Sequence, residues 1–154
     1  MNYTKKLLRV VQLDQILDKY RILEKAPMPK MGWIRTVRLT LGMSMRQLGE
    51  RLGISAQAVQ QMEDREALGT ITLDSLKTAA RALDMKLVYT FLPAEGSLES
   101  MVEARAVELA QEMVLQSLQD LEPEERQKAR PRIEKAILFK AVELQGKMGR
   151  GFWD

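Results

Sequence analysis

The sequence predicts a mainly α-helical fold with an N-terminal helix, a bundle of four short helices, one short strand and C-terminal helices. Apolar residues recur three or four positions apart through most of the chain, which is the period of an amphipathic helix. Ser or Thr stands directly before several of these segments, where a hydroxyl can cap the first helical turn. No apolar run approaches the roughly 18 residues of a membrane span and no secretion signal opens the chain, so we expect a cytoplasmic protein.

Composition excludes several function classes. The chain has no cysteine and no histidine, so disulfides, thiolate metal sites and Ser/His/Asp or Cys/His triads cannot be built. An enzyme would have to rely on Asp, Glu, Lys or Ser, yet neither a carboxylate pair nor a phosphate-cradling glycine loop stands out. We therefore expect no catalytic residues, no metal site and no cofactor.

The charge is unevenly distributed along the chain. Residues 1–92 hold 15 Lys and Arg against 9 Asp and Glu, a net of +6, whereas residues 93–154 hold 9 against 12, a net of −3. A basic segment favours contact with the phosphates of nucleic acid. The first part of the chain is therefore the expected nucleic-acid-binding part.

The first element is an amphipathic helix that we place in residues 1–26. Its apolar residues at helical spacing are Val10, Leu13, Ile16, Leu17, Tyr20 and Leu23. Pro27 and Pro29 end it, because proline lacks an amide hydrogen and restricts the residue before it. This proline segment predicts a linker, and a new domain begins near Lys30.

Four short helices are predicted in a domain that covers residues 30–84. They run from Trp33 to Gly42, from a cap at Ser44 to Leu52, from a cap at Ser55 to Asp64, and from a cap at Thr72 to about Leu83. Gly42 suits the left-handed conformation that often ends a helix. Gly53 and Gly69 mark the turns between the later helices.

The remainder of the chain is predicted to contain one strand and a helical extension. Residues 85–93 are rich in Val, Tyr, Thr and Phe and predict a strand, which either pairs with the same strand of a second subunit or lies extended on the helices. Helical patterns fill residues 97–145, with Pro131 expected to interrupt or kink the last helix. Three glycines in residues 146–154 predict a flexible tail.

Residues 44–64 hold the most informative pattern, which is a helix, a glycine turn and a second capped helix. Five apolar residues can point between the two helices and fix their angle, namely Leu48, Leu52, Ile54, Val59 and Met62. On the second helix, Gln57 and Gln61 are four positions apart, as are Ala56 and Gln60, so both pairs face solvent. Glutamine can bond bidentately to adenine, and an alanine methyl can meet the thymine methyl. The hydroxyls of the two capping serines suit phosphate oxygens.

This pattern resembles the phage-repressor or Cro-like (Xre-type) helix-turn-helix family over about Trp33 to Leu83. The resemblance implies a regulator that binds a palindromic operator as a dimer. The implied base-reading residues are Ser55, Ala56, Gln57, Gln60 and Gln61, and the implied phosphate-binding residues are Ser44, Met45, Arg46 and Arg65. It also implies a structural ion pair between Arg38 and Glu63, which we expect to be partly buried.

The sequence departs from the family pattern at two places. Gly49 stands where alanine is usual; glycine within a helix costs about 1 kcal/mol, but its small size lets the helices approach closely. Asp64 and Arg65 stand where Asn-Gly is usual, and an extra helical turn at this point would move Arg65.

The whole chain also resembles the small family called mobile mystery protein A, through its N-terminal helix, its Trp33-Ile34-Arg35 start, its 86–89 segment and its acidic C-terminal helices. This resemblance implies a bacterial repressor with an antitoxin-like role and a Fic-domain protein partner. Two functions therefore stand open. One is a repressor that binds DNA; the other is a protein-interaction antitoxin that neutralises its partner through the C-terminal helices and uses DNA binding only for autoregulation.

Overall fold

A computed structural model describes residues 3–154 of the chain, with side chains from Lys5 onward. These residues form eight α-helices: α1 (Tyr3–Asp18), α2 (Ile22–Lys25), α3 (Trp33–Thr40), α4 (Met45–Leu52), α5 (Ala56–Ala67), α6 (Leu73–Ala82), α7 (Leu98–Ser117) and α8 (Pro123–Lys147). None of the helices among these residues is long and apolar enough to cross a membrane. The mainly α-helical fold class is therefore confirmed.

Two compact units divide the described chain. The central unit is residues 22–90 and contains α2 to α6. The terminal unit is built from residues 3–21 and 91–154 and contains α1, α7 and α8. The boundary near residue 21 lies before the proline linker that the sequence suggested.

The central unit contains all four helices predicted between residues 30 and 84. Three of them begin at the predicted capping residues: the hydroxyls of Ser44, Ser55 and Thr72 each accept a hydrogen bond of 3.1 Å from the amide three residues ahead. The buried apolar side chains of the core are Ile34, Leu48, Val59, Ala79 and Leu83. Each of the helices α3 to α6 contributes to this core, so their relative angles are set by apolar packing.

The terminal unit packs α1, α7 and α8 around small side chains. Its buried residues are Val102, Ala106, Ala110, Ala141 and Phe152. The carboxylate of Asp14 on α1 accepts hydrogen bonds from the amides of Leu98 (2.8 Å) and Glu99 (3.0 Å), the first two residues of α7. An acid at a helix N-terminus satisfies amides that lack a partner within the helix and complements the helix dipole.

The predicted helix over residues 1–26 is divided in two by the structure. α1 ends at Asp18, and a turn leads to α2 at Ile22, the first residue of the central unit. The backbone tightens there through a 2.9 Å bond from the amide of Tyr20 to the carbonyl of Leu17, and Arg21 pairs with Asp18 at 2.8 Å. The prediction of a single helix is therefore wrong, since a turn at residues 19–21 separates α1 from α2.

The predicted strand over residues 85–93 is not confirmed, because these residues adopt no regular secondary structure. A strand is defined by its ladder, and the described residues contain no second strand with which the segment could pair. The side chains of Val88 and Tyr89 are more than half exposed.

The predicted flexible tail over residues 146–154 is instead packed against the terminal unit. α8 continues through Pro131 to Lys147, and Phe152 is only 4% exposed. The guanidinium of Arg105 donates to the carbonyl of Phe152 at 2.8 Å and to the carbonyl of Asp154. An aromatic ring among alanines removes a large apolar area from water, and that gain outweighs the freedom that the glycines give.

Candidate nucleic-acid interface

The backbone of the turn between α4 and α5 packs closely against α4. Gly53 adopts the left-handed conformation at φ 69°, and the amide of Ile54 donates to the carbonyl of Gly49 at 2.9 Å. A Cβ atom added to Gly49 would lie 2.6 Å from the carbonyl oxygen of Ile54. Glycine at position 49 therefore permits a close approach, and the partner in that approach is the turn rather than the body of α5.

One side of α5 is buried and the opposite side is open to solvent. Val59 and Glu63 are 0% and 2% exposed, whereas the predicted base-reading residues Ser55, Ala56, Gln57, Gln60 and Gln61 are all exposed. Ser55 is the cap of the helix, so its hydroxyl already accepts the amide of Ala58. The structure thus brings all five residues together on one uncharged face.

The predicted phosphate-binding residues lie at two separate helix ends. Ser44 and Gln47 form a capping box at the start of α4, in which the side chain of each accepts the other's amide. The Arg46 side chain is 84% exposed and pairs with Glu50 at 3.3 Å, whereas the Met45 side chain packs against the core. Arg65 is exposed in the last turn of α5, away from the start of α4 along the chain.

Arg38 and Glu63 form a buried bidentate ion pair. Arg38 Nε and Nη2 donate to the two Glu63 oxygens at 2.6 Å and 3.0 Å, and Arg38 Nη1 donates to the carbonyl of Met43 at 2.9 Å. The two side chains are 4% and 2% exposed. The hydrogen bond to Glu63 raises the pKa of Arg38, against the opposing effect of burial. This pair fixes the middle of α5 to α3 and to the turn that follows α3.

A second acid on α5, which the sequence did not suggest, holds the start of α3. The Glu66 carboxylate accepts hydrogen bonds from the amides of Trp33 (2.7 Å) and Ile34 (2.9 Å). Gly32 precedes them at φ 80°, and a Cβ atom there would lie 2.8 Å from the Glu66 carboxyl. In the sequence, α3 is preceded by Gly32 instead of a capping Ser or Thr. That pattern indicates a missing cap, but it does not identify the distant acid that replaces the cap.

α5 also continues beyond its predicted end at Asp64. The amide of Leu68 donates to the carbonyl of Asp64 at 3.0 Å, so the helix runs through Arg65 and Glu66 to Ala67. Gly69, at φ 73°, follows the end of the helix. The extra turn at the Asp64-Arg65 departure is therefore present, and Glu66 ties it to α3.

Comparison with protein families agrees with this geometry. Residues 34–89, about a third of the chain, match a family model described as helix-turn-helix. The match covers α3 to α6 and supports the resemblance to Cro- and repressor-type domains. Neither curated proteins nor solved structures gave a match.

The central unit is therefore a helix-turn-helix domain, with α4 and α5 as the two helices of the motif. Domains of this kind bind DNA in transcription regulators. The protein carries a DNA-binding regulatory domain, joined to a helical terminal unit that the family model does not cover.

Proposed function

We propose that this protein is a sequence-specific repressor that places α5 in the major groove of its operator, in the bacterial cytoplasm at the nucleoid. The observation that carries the proposal is the uncharged, exposed face of Ala56, Gln57, Gln60 and Gln61. Its opposite side is held by the core, by the Arg38–Glu63 pair and by Glu66. On such a rigid helix, these four neutral side chains can approach base edges without desolvating a charge of their own.

The three glutamines are proposed to read adenine-containing positions. Each carboxamide offers a donor group and an acceptor, which together match the N6 amino group and N7 of adenine. Ala56, at the first position of α5, is small enough to contact a thymine methyl group. Ser55 lies just before it and is proposed to contact the same edge of the groove.

The phosphate contacts are proposed to flank this face. Ser44 and the first amides of α4 suit one phosphate, because a helix N-terminus attracts anions. Arg46 now pairs with Glu50, but both side chains are more than 60% exposed, so exchanging this partner for a phosphate costs little. Arg65 is proposed to contact the phosphates near the other end of α5.

A dimer on a palindromic operator is proposed because one reading helix covers only a few base pairs. Two copies would place their α5 helices about one helical turn of DNA apart. The segment after α6 supports a contact between copies, since Met85, Val88 and Tyr89 expose apolar side chains (51%, 60% and 56%) and the backbone there belongs to no helix. Pairing this segment with the same segment of a second copy would give its backbone amides and carbonyls hydrogen-bond partners and would bury those side chains.

The test is a footprint on the promoter of the protein's own gene, followed by gel-shift titrations with the protected sequence. Gln57→Ala and Gln61→Ala should each lose roughly 5- to 150-fold in affinity for this operator and little for random DNA. Gln127→Ala, at an exposed glutamine of α8, is the matched control and should bind like the parent. Operator binding by both α5 variants at the parent's affinity would refute the proposal.

A second candidate function is the antitoxin that binds a Fic-domain protein, and one observation favours it. On α8, Leu138 and Phe139 are 63% and 77% exposed and adjacent, and contiguous exposed apolar side chains are a feature of protein-binding surfaces. The full chain would be co-expressed with the product of the neighbouring gene. Co-purification that is lost in Phe139→Lys but kept in Gln57→Ala would support this function, and no co-purification with the parent would refute it.

A further inference from the structure

A carboxylate lies on the same side of α5 as the proposed reading face. Asp64 lies three positions after Gln61, four after Gln60 and seven after Gln57. A helix with 3.6 residues per turn puts all four on one side, with Asp64 between the lines of Gln60 and Gln61. All four side chains are exposed. The exposed face that holds the glutamines therefore continues beyond Gln61 to Asp64.

We propose that Asp64 is a further specificity-determining residue and that it selects cytosine in the operator. This inference rests on the proposed function, in which the face of α5 lies in the major groove. It adds one base pair of defined identity to the site that the glutamines read.

The chemistry of the carboxylate limits what it can read. An ionised carboxylate accepts hydrogen bonds and donates none. In the major groove, cytosine presents the N4 amino donor, whereas guanine presents two acceptors, thymine presents one, and adenine sets an acceptor beside its donor. Asp64 therefore favours cytosine and opposes guanine most strongly, and an asparagine, which both donates and accepts, would not make that distinction.

The surroundings of Asp64 leave its carboxylate available. The two acidic residues nearest to it in the chain both have partners. Glu63 pairs with Arg38, and Glu66 accepts amides at the start of α3. Among the side chains described, residues 5–154, that of Asp64 by contrast makes neither a hydrogen bond nor an ion pair, and its backbone is held in the α5 helix, where its carbonyl accepts the amide of Leu68. These contacts of Glu63 and Glu66 also hold in place the helical turn of α5 that contains Asp64.

The spacing along α5 predicts where the cytosine lies. Gln61 and Asp64 are separated by a rise of about 4.5 Å, and Gln57 and Asp64 by about 10 Å. With about 3.4 Å between base pairs, the cytosine is expected roughly one base pair from the position that Gln61 reads and about three from that of Gln57. Each half-site should carry it once.

A different role would follow if Asp64 faced the phosphates. Its charge would then weaken binding to every sequence alike, and its removal would tighten binding to all DNA and alter the salt dependence. The two roles make opposite predictions for Asp64→Asn, which keeps the size of the side chain and removes its charge. Because Asp64 is exposed, this variant is expected to fold like the parent.

The experiment is a binding-site selection from random double-stranded DNA with the parent, Asp64→Asn and Asp84→Asn. Asp84 is the matched control: its side chain is 88% exposed, it pairs with Arg51 at the end of α6, and its φ of 56° is one that asparagine tolerates. The parent and Asp84→Asn should select cytosine at one position of each half-site. Asp64→Asn should lower the cytosine-over-guanine preference there by about tenfold and leave the other positions unchanged.

Two results would overturn the inference alone: retention of the cytosine preference by Asp64→Asn, or tighter binding of that variant to all sequences by a similar factor. A parent protein that selects no sequence at all would overturn the proposed function, and this inference with it. The outcome for the parent therefore separates the two failures.

Discussion

The central and terminal units fasten a helix end in the same way but fill their interiors differently. In each, a distant carboxylate accepts the first two amides of a helix: Glu66 at α3 and Asp14 at α7. The central unit also buries the Arg38–Glu63 ion pair, whereas the buried residues of the terminal unit are apolar, with Phe152 among alanines. Apolar packing sets how the helices lie against each other, and the ion pair adds a contact of fixed direction to the central unit. The helix proposed to read DNA thus lies in the unit that contains the buried ion pair.

The largest effect is expected from breaking the buried pair. Glu63→Ala leaves the Arg38 guanidinium buried without its partner, which should lower the free energy of unfolding by about 3–5 kcal/mol. Urea unfolding measures the loss, and hydrogen exchange should place it in α3 to α6. Arg38→Met with Glu63→Leu removes both charges and should recover part of the stability. If Glu63→Ala lowered stability by less than the exposed-pair variant Glu50→Ala, the contrast between the units would be wrong.

The apolar counterpart in the terminal unit is Phe152. Phe152→Ala should cost roughly 3 kcal/mol, at the lower end for a buried aromatic, because the neighbouring glycines let the segment rearrange around the vacated space. Exchange should then increase in α7 and α8. Trp153→Ala is the neighbouring control, since that ring is 60% exposed and its loss should stay within about 0.5 kcal/mol. Equal losses for the two variants would contradict the packing of the C-terminal segment.

The two acid caps offer a matched pair of variants. Glu66→Ala and Asp14→Ala should each cost about 1–2 kcal/mol, since each leaves two helix-start amides without their protein partner. Only Glu66→Ala should also weaken operator binding, because Glu66 holds the end of α5. Gel-shift titrations at a temperature where both variants remain folded make the comparison. Equal affinity of the two variants would argue that Glu66 contributes stability without orienting α5.

A smaller effect is expected where the turn approaches α4. Gly49→Ala should gain about 1 kcal/mol of helix propensity but must displace the carbonyl of Ile54, and such overpacking costs typically 1–3 kcal/mol. We expect a net loss of roughly 1 kcal/mol, measured by urea unfolding. A variant more stable than the parent would show that the turn yields easily and that this part of the central unit is not tightly packed.

The smallest effect concerns a surface network in the terminal unit. Hydrogen bonds from Lys147 and Lys140 lower the pKa of Glu143 to about 2. A depressed carboxyl pKa stabilises the folded state above the unfolded value of about 4.3, and that contribution is lost as the pH falls toward 2. An NMR titration should give a Glu143 midpoint near 2 in the parent and closer to 4.3 in Lys147→Met. Because the group is on the surface, added salt should weaken the difference.

The parts of the fold that the sequence predicted correctly depend on residues that are close together in the chain. Ser44, Ser55 and Thr72 begin helices because a capping hydroxyl acts on an amide only three residues away. Gln57 and Gln61 share an exposed face because the helical period places them there. The order of helices, the turn at Gly53 and the exposed glutamines of α5 were therefore determined by the sequence itself.

Tertiary structure decided what depends on residues far apart in the chain. Glu66 caps a helix that begins 33 residues earlier, and Asp14 caps one that begins 84 residues later. Phe152 lies among glycines that locally favour a flexible tail, and it is buried because a cavity among alanines accepts its ring. The extra turn of α5 lies beyond Asp64, and Glu66 in that turn reaches the start of α3. Such contacts depend on which surfaces meet, and no local pattern of residues specifies that.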